Sequence, residues 1–231
     1  MLVDFTKLEK KIKIKIKNYD FWISAITHRS YINEHSEFTL DHNERLEFLG
    51  DAVLEIIVTE YLFNNFPKTP EGDLTNWRAS LVNSEMLFQV ATELNLENYL
   101  LLSKGEAKDK NSKARHYIIA NAVEALIGAI YLDSGLEKAK KFVVEFIISK
   151  FQNILKNKLY LDPKSKFQEK SQEVYGITPS YKVLKESGPD HNKTFEVGLY
   201  IGKDLISVGL GTSKQEAQIN AADKGNKKKQ W

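Results

Sequence analysis

Three carboxylates in two separate segments have the residue types and spacing expected of a divalent-cation site. Glu47 and Asp51 are four residues apart, so on a helix they share one face, where like charges repel by roughly a few tenths of a kcal/mol. Glu124 is the single charge in the apolar run Ile119–Ala129, and a carboxylate in such surroundings needs a partner. One Mg²⁺ or Mn²⁺ ion, which prefers oxygen ligands, would satisfy all three. The same spacing also fits solvent-facing acids or salt bridges on ordinary helices.

The segments that carry these acids have the periodicity of helices. Apolar residues recur at three- and four-residue spacing and predict helices over Arg45–Phe63, Ser84–Leu94 and Ala120–Leu132. Gly50 costs its helix about 1 kcal/mol, which a close approach of two backbones would explain. Lys11–Lys17 alternates lysine and isoleucine, so a strand and an extended segment are both open there. The first part of the chain is therefore predicted to be mainly α-helical.

The pattern changes after about residue 155. Asp162 and Pro163 predict the start of a helix that runs to about Tyr175. Three strand-like runs follow, and Ser213 then caps a final helix; the runs are Ser180–Glu186, Thr194–Ile201 and Leu205–Leu210. Gly225 and Asn226 predict that this helix ends early, with Lys227–Lys229 frayed. We expect a small α+β domain of order α-β-β-β-α over 162–231, joined by a linker at 156–161 to a helical domain at 1–155.

Composition and charge narrow the possible partners. The chain has no cysteine, which excludes disulfides and cysteine–zinc sites. The start of the sequence has no signal-peptide pattern, and no apolar run approaches the roughly 20 residues of a membrane helix, so we expect a cytoplasmic protein without a membrane partner. From Asp162 onward the chain has 12 lysines, no arginine and nine acidic residues, a balance of +3. A lysine-only domain suits diffuse phosphate contacts better than bidentate recognition of bases.

Long motifs in both parts resemble one family. The string Asn43–Asp51, NERLEFLGD, is similar almost letter for letter to the ribonuclease III signature. Further matches follow in family order, at Thr27–Tyr31, Glu71–Leu74, Arg78–Asn83, Gly105–Glu106 and Val123–Ala129. The tail resembles the double-stranded-RNA-binding domain of the same enzymes, at Asp162–Ser165, Phe167–Glu169, Gly188–Phe195 and Ser213–Lys214. The resemblance covers essentially the whole chain.

The resemblance implies an activity and a set of partners. The family implies a ribonuclease III endonuclease and dimerisation domain followed by the RNA-binding domain, acting as a homodimer with two active sites. Each site would hydrolyse one strand of double-stranded RNA with Mg²⁺, or Mn²⁺ as a substitute, and with no small-molecule cofactor. The products would carry 5′-phosphates and 3′-hydroxyls, in the processing of ribosomal RNA precursors and structured transcripts.

The resemblance also assigns roles to individual residues. Glu47 would bind the metal, Asp51 would help to position the attacking water, and Glu124 would be both a metal ligand and the residue least replaceable for chemistry. Glu44 and Glu71 would support the site or the interface. Phe48 would fill a socket on the partner subunit, although its place in the helical pattern fits an ordinary core residue equally well. Four residues would contact RNA: Gln168 and Glu169 in one minor groove, the loop around His191 in the next, and Lys214 on phosphates.

Asn121 departs from the family pattern. An aspartate usually stands there, three residues before Glu124, as the remaining metal ligand. An amide oxygen can still bind a hard cation, but it carries no charge, so weaker metal binding is expected. Three accounts stay open: a natural variant that works at higher metal concentration, a substitution made to trap substrate, or a protein that binds duplex RNA with little or no cleavage.

Overall fold

A computed structural model describes residues 3–109, 112–158, 160, 162–189 and 193–231. The chain forms two compact units, a first unit of Met1–Tyr160 and a second unit of Leu161–Trp231. The finer division, with a linker at 156–161, stays a prediction. The fold class is confirmed, because the described part of the first unit is helical and the second unit contains a three-stranded sheet with one helix before it and one after it in the chain.

The first unit is built from α1 to α10. These helices are Thr6–Ile12, Tyr19–Ile26, Arg29–Glu34, Glu44–Asn65, Glu71–Val82, Ser84–Leu94, Lys104–Lys108, Lys113–Ser134, Leu136–Phe146 and Phe151–Lys156, with short 3₁₀ helices at Leu96–Tyr99 and Ile148–Lys150. The three helices predicted from periodicity are confirmed as α4, α6 and α8. The Lys11–Lys17 segment is not a strand: α1 covers its start, and the backbone leaves the helix at Lys13, which has φ of 58°. Ile12 and Ile14 are nonetheless buried, so the alternation of lysine and isoleucine reflects one side of the segment that packs on the core.

α4 and α8 pack against each other at the centre of this unit. A Cβ atom on Gly50 would lie 1.7 Å from the Glu124 carbonyl oxygen, and one on Gly128 would lie 2.3 Å from the Leu46 carbonyl oxygen. Only glycine permits this distance, which is the close backbone approach that Gly50 predicted. Because of this close approach, the turns of α4 around Gly50 lie directly against the turns of α8 that carry Glu124 and Gly128.

α8 is long and apolar enough, by length and composition, to cross a membrane. The expectation that no apolar stretch reaches this length is therefore wrong. The physical reason for its apolarity lies in the fold, since more than half of the stretch is buried inside the unit, as in the central helix of a core.

The second unit packs two helices on one face of a sheet. α11 (Pro163–Tyr175) is followed by β1 (Ser180–Ser187), β2 (Thr194–Ile201), β3 (Asp204–Gly211) and α12 (Lys214–Lys229), and the strands are antiparallel in the order β1-β2-β3. The Asp162 side chain accepts hydrogen bonds from the backbone amides of Lys164 and Ser165 and so caps the helix whose start was predicted there. Phe167, Leu199 and the alanines of α12 form the core.

The predicted early end of the last helix is wrong. α12 continues to Lys229 because the two suspect residues fit their surroundings. A Cβ on Gly225 would lie 2.7 Å from Leu199 and 2.8 Å from Phe167, so glycine makes room for these core side chains. The Asn226 amide donates to the Pro163 carbonyl oxygen at 2.9 Å, and Trp231 folds back so that its ring centroid is 4.8 Å from that of Phe167. The tertiary contacts outweigh the low helix propensity of both residues.

Candidate active site

The facing turns of α4 and α8 bring the predicted acidic residues into one region. The Asn121 side-chain amide donates a hydrogen bond to Glu47 Oε1 at 2.8 Å, linking the two helices. The Gly50 contact places Glu124 on the adjoining turn of α8. Glu47, Asn121 and Glu124 are half-buried, whereas Asp51 is exposed at the edge of the group.

The carboxylates in this region repel one another. Burial, followed by the charges of Asp51 and Glu47, raises the pKa of Glu124 to about 8. Burial also raises the pKa of Glu47, while the hydrogen bond from Asn121 opposes that rise and the charges of Glu44 and Asp51 add to it. Within the described ranges, no cationic side chain forms an ion pair with Glu124 or Asp51. The group therefore holds excess negative charge that a bound cation would neutralise.

The described residues do not contain three or more histidine, aspartate or glutamate side chains already placed as a metal cage. One physical reason is that the side chain hydrogen-bonded to Glu47 is that of Asn121, a neutral amide that donates through its nitrogen. A second is that Asp51 faces solvent. The oxygen-only donor set and the half-buried, unpaired Glu124 nevertheless fit a hard divalent cation.

A cavity of about 290 Å³ opens beside the Glu47–Asn121 pair. Its lining residues are His28, Arg29, Asn43, Glu44, Glu47, Ile118 and Asn121. Glu44, predicted to support the site, lies here with its Oε1 3.5 Å from Arg29 Nη1. His28 also lies here, and it is not among the predicted site residues because no spacing in the sequence pairs it with the acids. The only signal that pointed to it was the motif Thr27–Tyr31.

None of the other predicted residues of the first unit, including Asp51 and Glu124, lines this cavity. Phe48 is 82% exposed, so its interpretation as an ordinary core residue is wrong. It borders a groove of about 800 Å³ that Phe21, Leu49 and Leu132 also line. Glu71 is exposed at the start of α5, where its Oε1 accepts a hydrogen bond from Thr75 Oγ1 at 2.9 Å. It lines a different cavity, of about 250 Å³.

The predicted RNA contacts lie on the surface of the second unit. Gln168 and Glu169 are exposed on α11. Lys214 is exposed at the start of α12, with its Nζ 2.9 Å from Glu186 Oε1 and 5.6 Å from the centre of the Phe195 ring. Glu186 and Phe195 are paired across β1 and β2, next to the connecting loop, so Lys214 lies near that loop. His191 lies outside the described residues.

Comparisons with known proteins agree on both units. The profile of the family described as Ribonuclease-III-like matches residues 18–151, and that of the Double-stranded RNA binding motif matches residues 163–228. Ribonuclease 3 of Borreliella burgdorferi is 42% identical over 94% of this chain and 88% of its own length. Ribonuclease 3 of Carboxydothermus hydrogenoformans is 44% identical over 94% and 92%, respectively. The solved nuclease domain of ribonuclease III from Campylobacter jejuni is 39% identical, covers 64% of this chain and 99% of that structure, and has a TM-score of 0.56.

The fold and the site together define a nuclease unit joined to a duplex-RNA-binding unit. The chain belongs to the ribonuclease III family. It is an endoribonuclease that acts on double-stranded RNA, and nucleases of this family generally depend on metal ions. The comparisons do not favour the alternative of a duplex-binding protein with weak or absent catalysis.

Proposed function

We propose that Glu47, Asn121 and Glu124 bind Mg²⁺, with Mn²⁺ as a substitute, and that the site hydrolyses RNA phosphodiester bonds to leave 5′-phosphate and 3′-hydroxyl ends. The observation that carries this proposal is Glu124, a half-buried carboxyl with its pKa raised to about 8 beside two further acids and without a cationic partner in the described chain. Such a group is stable as an anion at neutral pH only when a cation is near it.

The protein's own residues have separate tasks in this reaction. When bound, the cation activates water and neutralises charge that develops on the phosphate. Glu124 and Glu47 supply the anionic oxygens that hold it, and the Asn121 amide fixes the orientation of Glu47. Asp51, which is exposed, would accept a hydrogen bond from the attacking water and orient it. Glu44 holds Arg29 at the mouth of the cavity.

Replacement of Glu124 by glutamine tests the site. Glu124→Gln keeps the size of the side chain and removes its charge, so we expect cleavage of a long RNA duplex in Mg²⁺ to fall at least about 100-fold. Mg²⁺ should also raise the melting temperature of the wild-type protein more than that of the variant. The matched control is Glu60→Gln, on the same helix as Glu47 but paired with Lys140 at 2.6 Å. Equal cleavage by the wild type and Glu124→Gln, or full activity in chelator, would refute the site.

We also propose that the chain works as a homodimer. The nuclease domain of ribonuclease III from Campylobacter jejuni has a structurally flexible region that is involved in dimer formation. In this chain, Phe48 is 82% exposed at the border of an 800 Å³ groove that contains an apolar patch of Phe21, Leu40, Leu49 and Leu132, and its ring is suited to fill the same groove of a second copy. Exposed Glu71 would then have a supporting role near the site or the interface. Phe48→Ala should lower the sedimentation coefficient at micromolar concentration, whereas Val144→Ala, on the exposed face of α9, should not.

The second unit is proposed to hold the duplex through its sugar–phosphate backbone. Gln168, Glu169, His191 and Lys214 would contact successive grooves and phosphates. Lys214→Ala should weaken duplex binding and reduce the salt dependence by roughly one phosphate contact. Exposed Lys203→Ala, in the turn between β2 and β3, is the control. The cytoplasm, where ribosomal RNA precursors and structured transcripts are processed, is the proposed location.

A further inference from the structure

We propose that His28 binds a non-bridging phosphate oxygen of the RNA through its Nε2–H group, in the cavity beside Glu47 and Asn121. The inference rests on the proposed function, because it concerns substrate binding at that same site. It adds a substrate-binding residue outside the acidic group. Three properties of His28 support it: the nitrogen that carries the proton, the residues that share the cavity, and the charge of the ring.

Local hydrogen bonds determine the proton-bearing nitrogen. The backbone amide of Ser30 donates to His28 Nδ1 at 3.3 Å, as expected where His28 caps the start of α3. The Ser30 hydroxyl lies 2.8 Å from the same nitrogen and accepts a bond from the Ser103 amide at 3.1 Å, so its own proton is directed at Nδ1. Because Nδ1 accepts, the neutral ring carries its proton on Nε2.

The backbone holds this arrangement in place from both sides. Leu101 pairs with the end of α2: its amide donates to the Ile26 carbonyl oxygen, and its own carbonyl oxygen accepts from the His28 amide, at 2.9 and 3.0 Å. Ser103, two residues further on, therefore lies against Ser30. The ring is fixed before substrate arrives, so little side-chain entropy remains to be lost on binding.

The Nε2 donor has no partner within the described part of the chain. His28 is half-buried and lines the cavity together with Glu47, Asn121 and Arg29. Burial is the largest effect on the pKa of His28 and lowers it, so the ring is neutral near pH 7. A neutral N–H donor beside a guanidinium matches an anionic phosphate oxygen, and it does not compete with the carboxylates for the cation.

Two substitutions separate this role from a purely structural one. The amide of asparagine overlays Nδ1 of histidine, so His28→Asn keeps the helix cap and loses the Nε2 donor. The amide nitrogen of glutamine overlays Nε2, so His28→Gln keeps the donor and weakens the cap. In single-turnover cleavage with saturating protein, His28→Asn should be slower by about 10- to 100-fold at an unchanged melting temperature. His28→Gln should stay within about fivefold of the wild type, at a slightly lower melting temperature.

The opposite ranking, with His28→Asn active and His28→Gln impaired, would overturn the proposal, since it would show that capping is the only role. Equal loss in both variants at unchanged melting temperature would also overturn it. A duplex with a single 2′-deoxynucleotide at the cleaved bond provides the other arm. On this substrate, His28→Asn should still cleave more slowly than the wild type. If the two cleave equally fast, the Nε2 donor binds the 2′-hydroxyl and the assignment to a phosphate oxygen is refuted.

A measurement of the His28 tautomer by NMR requires neither activity nor a variant, so it applies even if a variant misfolds. In the full-length wild-type protein labelled with ¹⁵N-histidine, the His28 ring should show a protonated Nε2 and an unprotonated Nδ1 at pH 7. A proton on Nδ1 would overturn the proposal. Failure of the proposed function is separate, because it would show as a wild type that does not cleave duplex RNA in Mg²⁺, or as a Glu124→Gln variant that cleaves equally well.

Discussion

Substitution of Asn121 by aspartate tests how this chain balances the charge of its site. The amide of Asn121 donates a hydrogen bond to Glu47 Oε1 at 2.8 Å, and an ionised aspartate would present an oxygen to that carboxylate instead. A hydrogen bond to a charged group contributes about 1.5–3 kcal/mol when buried, and we expect about 1 kcal/mol here because Glu47 is half exposed. The new repulsion at about 4 Å is on the order of 4 kcal/mol before solvent and protonation relieve most of it.

The substitution should therefore destabilise the metal-free protein and strengthen its binding of Mg²⁺. Without metal, Asn121→Asp should be less stable at pH 7 by about 1–3 kcal/mol, a fall of roughly 2–12 °C in the melting temperature of the first unit. With Mg²⁺, the added charge strengthens the attraction to the ion. A tenfold gain in affinity returns about 1.4 kcal/mol at saturation, so the difference between variant and wild type should narrow as Mg²⁺ is added.

The assay is thermal unfolding in chelator and along a Mg²⁺ titration, paired with the Mg²⁺ concentration that gives half-maximal cleavage of a duplex RNA. Asn121→Asp should lower that concentration about tenfold. Asn121→Ala is the matched control, because it removes the hydrogen bond without adding charge and should weaken both stability and metal response. If Asn121→Asp matches the wild type in chelator and needs the same Mg²⁺ concentration, the electrostatic account of the site is wrong.

Stability measurements test three other features, which are the ionisation of Glu124, the close contact at Gly50 and the packing of Trp231. Because the pKa of Glu124 is raised from 4.5 to about 8, its contribution to stability without metal is present at low pH and is lost as the pH rises between those values. Glu124→Gln should flatten that decline in melting temperature, and an unchanged pH profile would contradict it. Gly50→Ala should destabilise the first unit by about 3 kcal/mol in urea unfolding, since its Cβ would meet the Glu124 carbonyl oxygen at 1.7 Å; a change under about 1 kcal/mol would show that the helices can separate cheaply. Removal of Trp231 should destabilise the second unit by about 1–2 kcal/mol because it uncovers Phe167, and duplex affinity should fall with it; an unaltered melting transition would argue against this packing.

Periodicity and motif predicted most of the elements and the acidic candidates. The helices over Arg45–Phe63 and Ala120–Leu132 follow from apolar spacing, and Gly50 indicated a close contact because its helix propensity is poor. The α-β-β-β-α order of the second unit follows in the same way. These features could be predicted because each depends on residues near one another in the sequence.

Contacts between distant elements decided the rest. Phe48 fits the apolar pattern of α4, yet the fold leaves it 82% exposed. Gly225 and Asn226 weaken a helix locally, yet Phe167 and Pro163 make them fit. The tautomer of His28 depends on Ser103, which lies 75 positions away in the sequence. The sequence by itself determined which side chains each helix and strand carries on which face. Only the tertiary structure decided which faces meet, because burial, hydrogen-bond partners and charge repulsion depend on atoms that the chain brings together only when it folds.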